Sequence, residues 1–272
     1  MSDFVTAFIG AGNMARSFIG GMLASGVAPE SLRAADPMKS NRELMATMGA
    51  LELSASNTEA VRGANVVVLA VKPQVLKNVC EELRAKVEPD TVVVSIAAGV
   101  ETTSLQAWLG ADTPIARCMP NTPALVGKGA SALFCTNAVT PLQKDRIERV
   151  MKSVGAVCWV EDEDSLHSVT ALSGSGPAYF FLMMEAMIAE GERMGLDPQT
   201  ARLLCSQTCL GAGYMLREDS VPAAELRRRV TSPGGTTERA IRSFEQDGFA
   251  TLIQTAMREC YKRSQELAEE LT

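Results

Sequence analysis

The sequence predicts an α/β fold, with an N-terminal domain built on a parallel sheet and an all-α C-terminal domain after it. Three observations carry this. Short apolar runs alternate with helical patterns through the first 160 residues, those runs do not alternate with polar residues, and after Glu161-Asp162-Glu163-Asp164 only helical patterns occur. At 272 residues the chain is about twice a typical domain. Two domains are therefore expected, 1–162 and 163–272, with the acidic stretch as their boundary.

The runs at 4–9, 66–71, 92–97, 115–119, 131–135 and 156–160 read as strands, with another near Leu32–Ala35. Val66-Val67-Val68-Leu69-Ala70-Val71 has no polar face, so both of its faces are expected to lie under helices. In the second half Asp197-Pro198 reads as a helix N-cap and first helical position, and Gly195 and Gly248 as C-terminal caps. Phe249, Leu252, Ile253, Ala256, Met257, Cys260 and Tyr261 form one apolar helical stripe. The 178–189 segment is apolar almost all round and requires burial on every side. A subunit interface is its natural cover; a central helix of a bundle is the alternative.

Composition narrows the function. With 46% hydrophobic and 21% charged residues the chain is that of an ordinary globular protein. A net charge of −6 opposes a nucleic-acid surface, and the acidity sits in the second half, with 11 basic against 18 acidic residues from 161 onward. A single histidine, His167, excludes sites that need two imidazoles, and no metal is expected. The seven cysteines contain no C-x-x-C pair and are expected as reduced thiols. The apolar N-terminal run is cut early by Gly10, and no stretch reaches the ~20 apolar residues of a membrane span. The expectation is a soluble cytoplasmic protein.

Phe4–Ile9 as a strand, followed by Gly10-Ala11-Gly12-Asn13-Met14-Ala15 opening a helix, is G-x-G-x-x-A in its strand-turn-helix setting. Gly10 permits the tight turn, Gly12 lets backbone approach a pyrophosphate, and Ala15 keeps helix and strand close. The first domain is therefore read as a Rossmann-type dinucleotide-binding domain. Asp36, at the end of the second strand, argues for NAD through a ribose hydroxyl. Lys39 and Arg42 argue for a 2′-phosphate, and Pro37 turns the chain so that Asp36 points away. Residues alone leave that choice open.

Ala70-Val71-Lys72-Pro73 and Ser95-Ile96-Ala97-Ala98-Gly99 lie at further strand ends, where small residues admit a flat nicotinamide. Lys72 is a cation beside the cofactor or a solvated lysine. Met119-Pro120-Asn121-Thr122-Pro123 holds an amide and a hydroxyl on stiff prolines. In the helical half, Val230-Thr231-Ser232-Pro233-Gly234-Gly235-Thr236-Thr237 is a Gly-rich turn entering a helix. It reads as a carboxylate or phosphate receptor, or as an interhelical linker with hydroxyl caps. Ser173-Gly174-Ser175-Gly176-Pro177 interrupts any helix arriving from His167.

In this order, G-A-G-N-M-A, A-V-K-P, S-I-A-A-G, M-P-N-T-P, S-G-S-G-P-A-Y and V-T-S-P-G-G-T-T resemble the pyrroline-5-carboxylate reductase family, from about residue 4 to 260. The resemblance implies reduction of 1-pyrroline-5-carboxylate to L-proline, the last step of proline biosynthesis, with NADPH favoured and NADH a second possibility. It implies an all-α dimerisation domain and a homo-oligomer, either a dimer or a ring of dimers. Cofactor contacts are implied at Ile9, Gly10, Ala11, Gly12, Asn13, Met14, Ala35, Asp36, Asn57, Ala70, Val71, Lys72, Pro73, Ile96, Ala97 and Ala98. Substrate contacts are implied at Asn121, Ser232, Gly234, Gly235, Thr236 and Thr237, with Thr237 the catalytic candidate. An acidic Asp36 departs from what a 2′-phosphate needs.

A cyclic imine that arrives protonated accepts hydride without an enzyme acid, so orientation and carboxylate binding suffice. His167 is accordingly read as a surface histidine near carboxylates, and Arg227-Arg228-Arg229 as a solvated or interface face. A β-hydroxyacid dehydrogenase would need a catalytic lysine after the boundary, yet none lies between Lys152 and Lys262. Reduction of another cyclic imine, or a non-catalytic dinucleotide sensor, are the alternatives.

Overall fold

A computed structural model describes residues 4–271. Two compact units emerge: one runs up to Ser175 and is completed by the chain from Cys260 onward, the other is Gly176–Glu259. The first holds an eight-stranded sheet of β1 (Thr6–Ile9), β2 (Leu32–Ala35), β3 (Glu52–Ser54), β4 (Val66–Leu69), β5 (Val92–Ser95), β6 (Ile115–Met119), β7 (Gly129–Cys135) and β8 (Gly155–Trp159). Its order is β3-β2-β1-β4-β5-β6-β7-β8. All neighbours are parallel except β6 and β7. A tight turn, Thr122–Val126, joins that antiparallel pair. β3 escapes sequence reading because it has three residues and is largely solvent-facing.

The Val-rich runs are buried for the reason their sequence gave. Val66, Val68, Val92 and Val94 face one core with Phe8, Phe18 and Ile19, whereas Val67, Leu69 and Val93 face the other with Leu76, Leu83 and Leu105. Burying each such side chain stabilises by about 1.5–3 kcal/mol. The covering helices are α1 (Asn13–Ala24), α2 (Lys39–Ala46), α3 (Asn57–Val61), α4 (Pro73–Leu83), α5 (Thr102–Leu109) and α6 (Pro141–Lys152). Helix α6 opens with a reciprocal cap between Thr140 and Gln143.

Helix α7 (Ser165–Val169) and the π-helical turn Thr170–Gly174 group with the sheet unit, so the compact units part at 175/176. The helical signals after residue 161 are genuine, but α7 packs against β7 with Leu166 and His167 buried. His167 is not on the surface as expected. Its Nδ1 shares a 2.8 Å hydrogen bond with Ser264 Oγ, and its ring meets Tyr261 edge-on.

The second unit is α8 (Gly176–Arg193), α9 (Pro198–Glu218), α10 (Ala223–Arg229), α11 (Thr236–Gln246) and the start of α12 (Phe249–Leu271). Asp197 caps α9, accepting from the N–H groups of Gln199 and Thr200, and Gly195 turns the chain at φ +102°. Phe180, Phe181 and Leu182 of α8 are 58–68% exposed, and Leu203, Leu204 and Leu210 of α9 are exposed too. Burial on every side is therefore not achieved within one chain.

Helix α1 approaches the end of α6 so closely that a β-carbon on Gly21 would stand 2.3 Å from the Ser153 carbonyl oxygen. Gly21→Ala would gain roughly 0.5–1 kcal/mol of helix propensity but force backbone from backbone, costing about 1–3 kcal/mol. The expected outcome is a Tm lowered by several degrees in thermal unfolding. An unchanged or higher Tm would show that this contact relaxes freely.

Candidate dinucleotide site and carboxylate-binding turn

The carboxyl ends of β1 to β6 share one edge of the sheet, and the strand order reverses at β1 and β4. Ligands of open α/β sheets bind in that crevice. Gly10 donates its N–H to Ala35 O at 2.7 Å, and Ala70 donates to Ile9 O at 2.8 Å. At φ +98°, a β-carbon on Gly10 would sit 2.6 Å from Ala70 O, so only glycine fits. Ile9, Gly10, Ala35 and Ala70 are thus tied together, as their sequence positions imply.

Gly12 is the N-cap of α1 and brings no capping side chain, nor is there an acidic residue in the first turn. The amide donors that open α1, beginning at Asn13 and Met14, are thereby left for an anion. A β-carbon on Gly12 would meet no atom within 4 Å, so the space beside it is open. A dinucleotide pyrophosphate fits a cradle of this kind.

Asp36 does not point away, and its carboxylate is not free for a ribose. It is 7% exposed. Oδ2 accepts from Ala11 N at 2.9 Å and Asn41 Nδ2 at 3.0 Å, and Oδ1 accepts from Met38 N at 2.9 Å. Arg42 Nη1 donates to the Asp36 and Pro37 carbonyls at 2.6 and 3.0 Å. The acidic side chain therefore holds the Gly-rich turn, with a guanidinium close behind it. Lys39, largely exposed, pairs only loosely with Glu43 at 3.4 Å.

Asn57 opens α3 behind its Ser56 cap, and its amide donates to Glu82 Oε2 at 2.9 Å. Lys72 is exposed at the N-cap of α4, ahead of Pro73. The 96–98 segment joins the same edge, because Ile96 N donates to Leu69 O at 3.2 Å. There Ala98 is exposed, Ile96 half-buried and Ala97 turned into the core, so Ala97 offers backbone alone.

Asn121 departs from its expected role as a free amide toward substrate. Its Oδ1 accepts from Ala130 N at 2.8 Å and its Nδ2 donates to Ser173 O at 3.0 Å, within a 9% exposed residue. It ties the β6–β7 turn to the π-helical turn. Beside that contact a β-carbon on Gly174 would stand 2.5 Å from Met119 Cε, the end of a flexible side chain. Sequence reasoning also missed a buried network. Arg117 Nη1 pairs with Glu163 Oε1 at 2.7 Å, and Glu163 accepts from both the N–H and the hydroxyl of Thr102. Nothing in an acidic tetrapeptide distinguishes the one carboxylate that turns inward.

The Gly-rich turn of the helical unit stands by itself. Gly234 takes φ +74° and Gly235 caps α11. Two of its donors are satisfied, Gly235 N by Ser232 O at 3.0 Å and Gly234 N by Glu238 Oε2 at 2.8 Å. Gly234 is thus not the open donor expected of it. The Thr236 and Thr237 N–H groups at the helix start find no acceptor among the described residues, and their hydroxyls lie beside them. That leaves two amide donors at the start of α11, with the Glu238 carboxylate in the same first turn.

An uncapped helix behind a glycine turn, at the reversal point of a parallel sheet, defines a domain of the dinucleotide-binding class. Comparison with known proteins agrees: residues 5–99 match the family described as NADP oxidoreductase, coenzyme F420-dependent, and residues 163–267 match pyrroline-5-carboxylate reductase dimerisation. The pyrroline-5-carboxylate reductase of Pseudomonas aeruginosa is 51% identical over 100% of this chain and 99% of its own. The structure of that enzyme from Coxiella burnetii superposes with a TM-score of 0.94 at 40% identity, covering 98% of this chain and 99% of the other. A Plasmodium falciparum pyrroline carboxylate reductase solved with NADP bound gives 0.87 at 27% identity, with 98% and 99% covered. The chain belongs to the pyrroline-5-carboxylate reductase family.

Removing the Asp36 carboxylate strands the Ala11 and Met38 N–H groups, at a cost of about 1–3 kcal/mol. Asp36→Ala is expected to weaken NADPH and NADH binding together in fluorescence titrations, with their ratio kept within about threefold, under 1 kcal/mol. Weakening of NADH alone would show that the carboxylate reads the ribose hydroxyl.

Proposed function

We propose that this chain reduces 1-pyrroline-5-carboxylate to L-proline with NADPH, the last step of proline biosynthesis. The observation that carries the reading is the uncapped start of α1 behind Gly12, in a chain of this family, with the Gly235 turn into α11, whose first turn carries Glu238, as a second set of amide donors. The first suits a pyrophosphate and the second a substrate carboxylate.

NADPH, when bound, supplies the hydride that the imine carbon receives. The residues that would hold it are Gly10 to Met14, the Ala35–Asp36 strand end, Asn57, Ala70 to Pro73 and Ile96 to Ala98. Arg42 and Lys39 put positive charge behind the Asp36 turn, which favours a 2′-phosphate and makes NADH the poorer donor. Lys72, exposed at the head of α4, adds a cation at the same sheet edge.

The Thr236 and Thr237 N–H groups would fix the substrate carboxylate, and the Thr237 hydroxyl would orient the ring nitrogen. Ser232 lends a second hydroxyl. Asn121 acts at one remove, by holding the β6–β7 turn in place. An imine nitrogen protonated in solution needs no acid from the chain, and His167, its Nδ1 engaged by Ser264, is not required to supply one.

The exposed apolar faces of α8 and α9 support a homo-oligomer built from dimers, with a ring of dimers as its larger form. A reducing, cytoplasmic setting is supported by seven free thiols, two of which, Cys80 and Cys118, burial pushes up to about 12.

Absorbance of the reduced nicotinamide should fall on adding 1-pyrroline-5-carboxylate, faster with NADPH than with NADH. Loss of signal only with another cyclic imine would reassign the substrate, and binding without turnover of any imine would leave a sensor. Thr237→Ala is expected to cost about tenfold in kcat/KM for the imine, about 1.4 kcal/mol of transition-state binding, with NADPH affinity unchanged. Wild-type kinetics in that variant would remove Thr237 from the mechanism.

A further inference from the structure

The β5–α5 connection, Ile96 to Glu101, is held from outside at two points that no cofactor contact explains. Gly99, at φ +79°, lies against the end of α12: a β-carbon there would be 3.0 Å from Leu271 Cδ1 and 3.4 Å from Leu267 O. Leu271 packs on the same buried cluster that contains Ala97 and Val100. Three residues further on, Thr102 opens α5 with no capping side chain of its own neighbourhood in sequence. Its N–H donates to Glu163 Oε1 at 2.7 Å and its hydroxyl to Glu163 Oε2. The same carboxylate is met at 2.7 Å by Arg117, whose side chain is 8% exposed. A carboxylate delivered from 61 residues away thus caps the helix that the loop enters.

We propose that Glu163 and Leu271 are positioning residues for the cofactor: together they set the height of the 96–98 backbone over the sheet edge. The proposal rests on the reading that this backbone receives the nicotinamide end of the dinucleotide. Small side chains on Ala97 and Ala98 leave the loop no bulk of its own with which to hold that height. The clamp supplies it: Leu271 packs beneath Gly99, and Glu163 fixes Thr102, with Arg117 neutralising a charge that would otherwise be costly to bury.

Removing Glu163 alone would strand Arg117 in the interior, so the test uses paired variants of the full chain. Arg117→Met with Glu163→Leu removes the clamp without an unpaired charge. Arg117→Gln with Glu163→Gln also removes both charges but keeps an amide oxygen for Thr102 N–H. The first pair is expected to raise the KM for NADPH about tenfold, the loss of roughly one charge-assisted hydrogen bond, with kcat and the imine KM held within about twofold. The Gln pair should restore most of the NADPH KM, and Leu271→Ala should raise it by a smaller factor. Near-UV circular dichroism and Tm establish that each variant is folded.

A folded clamp variant with wild-type NADPH KM overturns the proposal, as does a fall in kcat with both KM values moving together. Should the Met/Leu pair not fold, Leu271→Ala decides, and an unchanged NADPH KM there is equally fatal. Wild-type chain that does not bind NADPH would overturn the functional reading itself and the clamp with it. Wild-type chain that binds, alongside variants that bind equally well, overturns the clamp alone.

Discussion

The Ala70 carbonyl oxygen lies 2.6 Å from where Gly10 would carry a β-carbon, and the ligand end of the sheet is organised around that approach. Because β1 and β4 come so near, the chain leaving β1 turns sharply at positive φ and presents α1 by its bare N-terminus. The same closeness brings Ala35, Ala70 and Ile96 to one edge through backbone hydrogen bonds alone. Side chains contribute little there, which suits a surface that a large planar ligand must approach.

What surrounds this edge is polar machinery that keeps it in place. Asp36 grips the turn at Ala11, Asn121 joins two loops across β6 and β7, and Glu163 links β6 to α5. Each is buried or nearly so and holds at least two partners. Buried polar groups with complete hydrogen bonding fix a conformation more firmly than apolar packing of equal size, since any displacement leaves a donor or acceptor unpaired.

Local patterns were legible in the sequence, and partners at long range were not. The Val-rich strands, the G-x-G-x-x-A turn and the Asp197 cap follow from steric and hydrogen-bonding rules acting within a few residues, and each was read correctly. Asp36 was misjudged because its ligands, Ala11 and Asn41, are decided by how β1 and β2 pair. His167 was misjudged for the same reason, since Ser264 lies 97 residues on. The inward turn of Glu163, unlike its three acidic neighbours, depends on Arg117 in another strand. The Gly-rich turn at 232–237 was legible as a turn into a helix, but not the use that Glu238 makes of one of its donors.

Helix α12 belongs to both compact units, its first turns to the helical one and its last to the sheet. During synthesis the eight strands therefore emerge long before the segment that completes their unit. Until residues beyond 260 are made, His167 lacks Ser264, Gly99 lacks Leu271, and the β5–α5 connection has no floor. A sheet unit discontinuous in sequence thus differs from domains laid down one after another, whose contacts can all form in the order the chain is made.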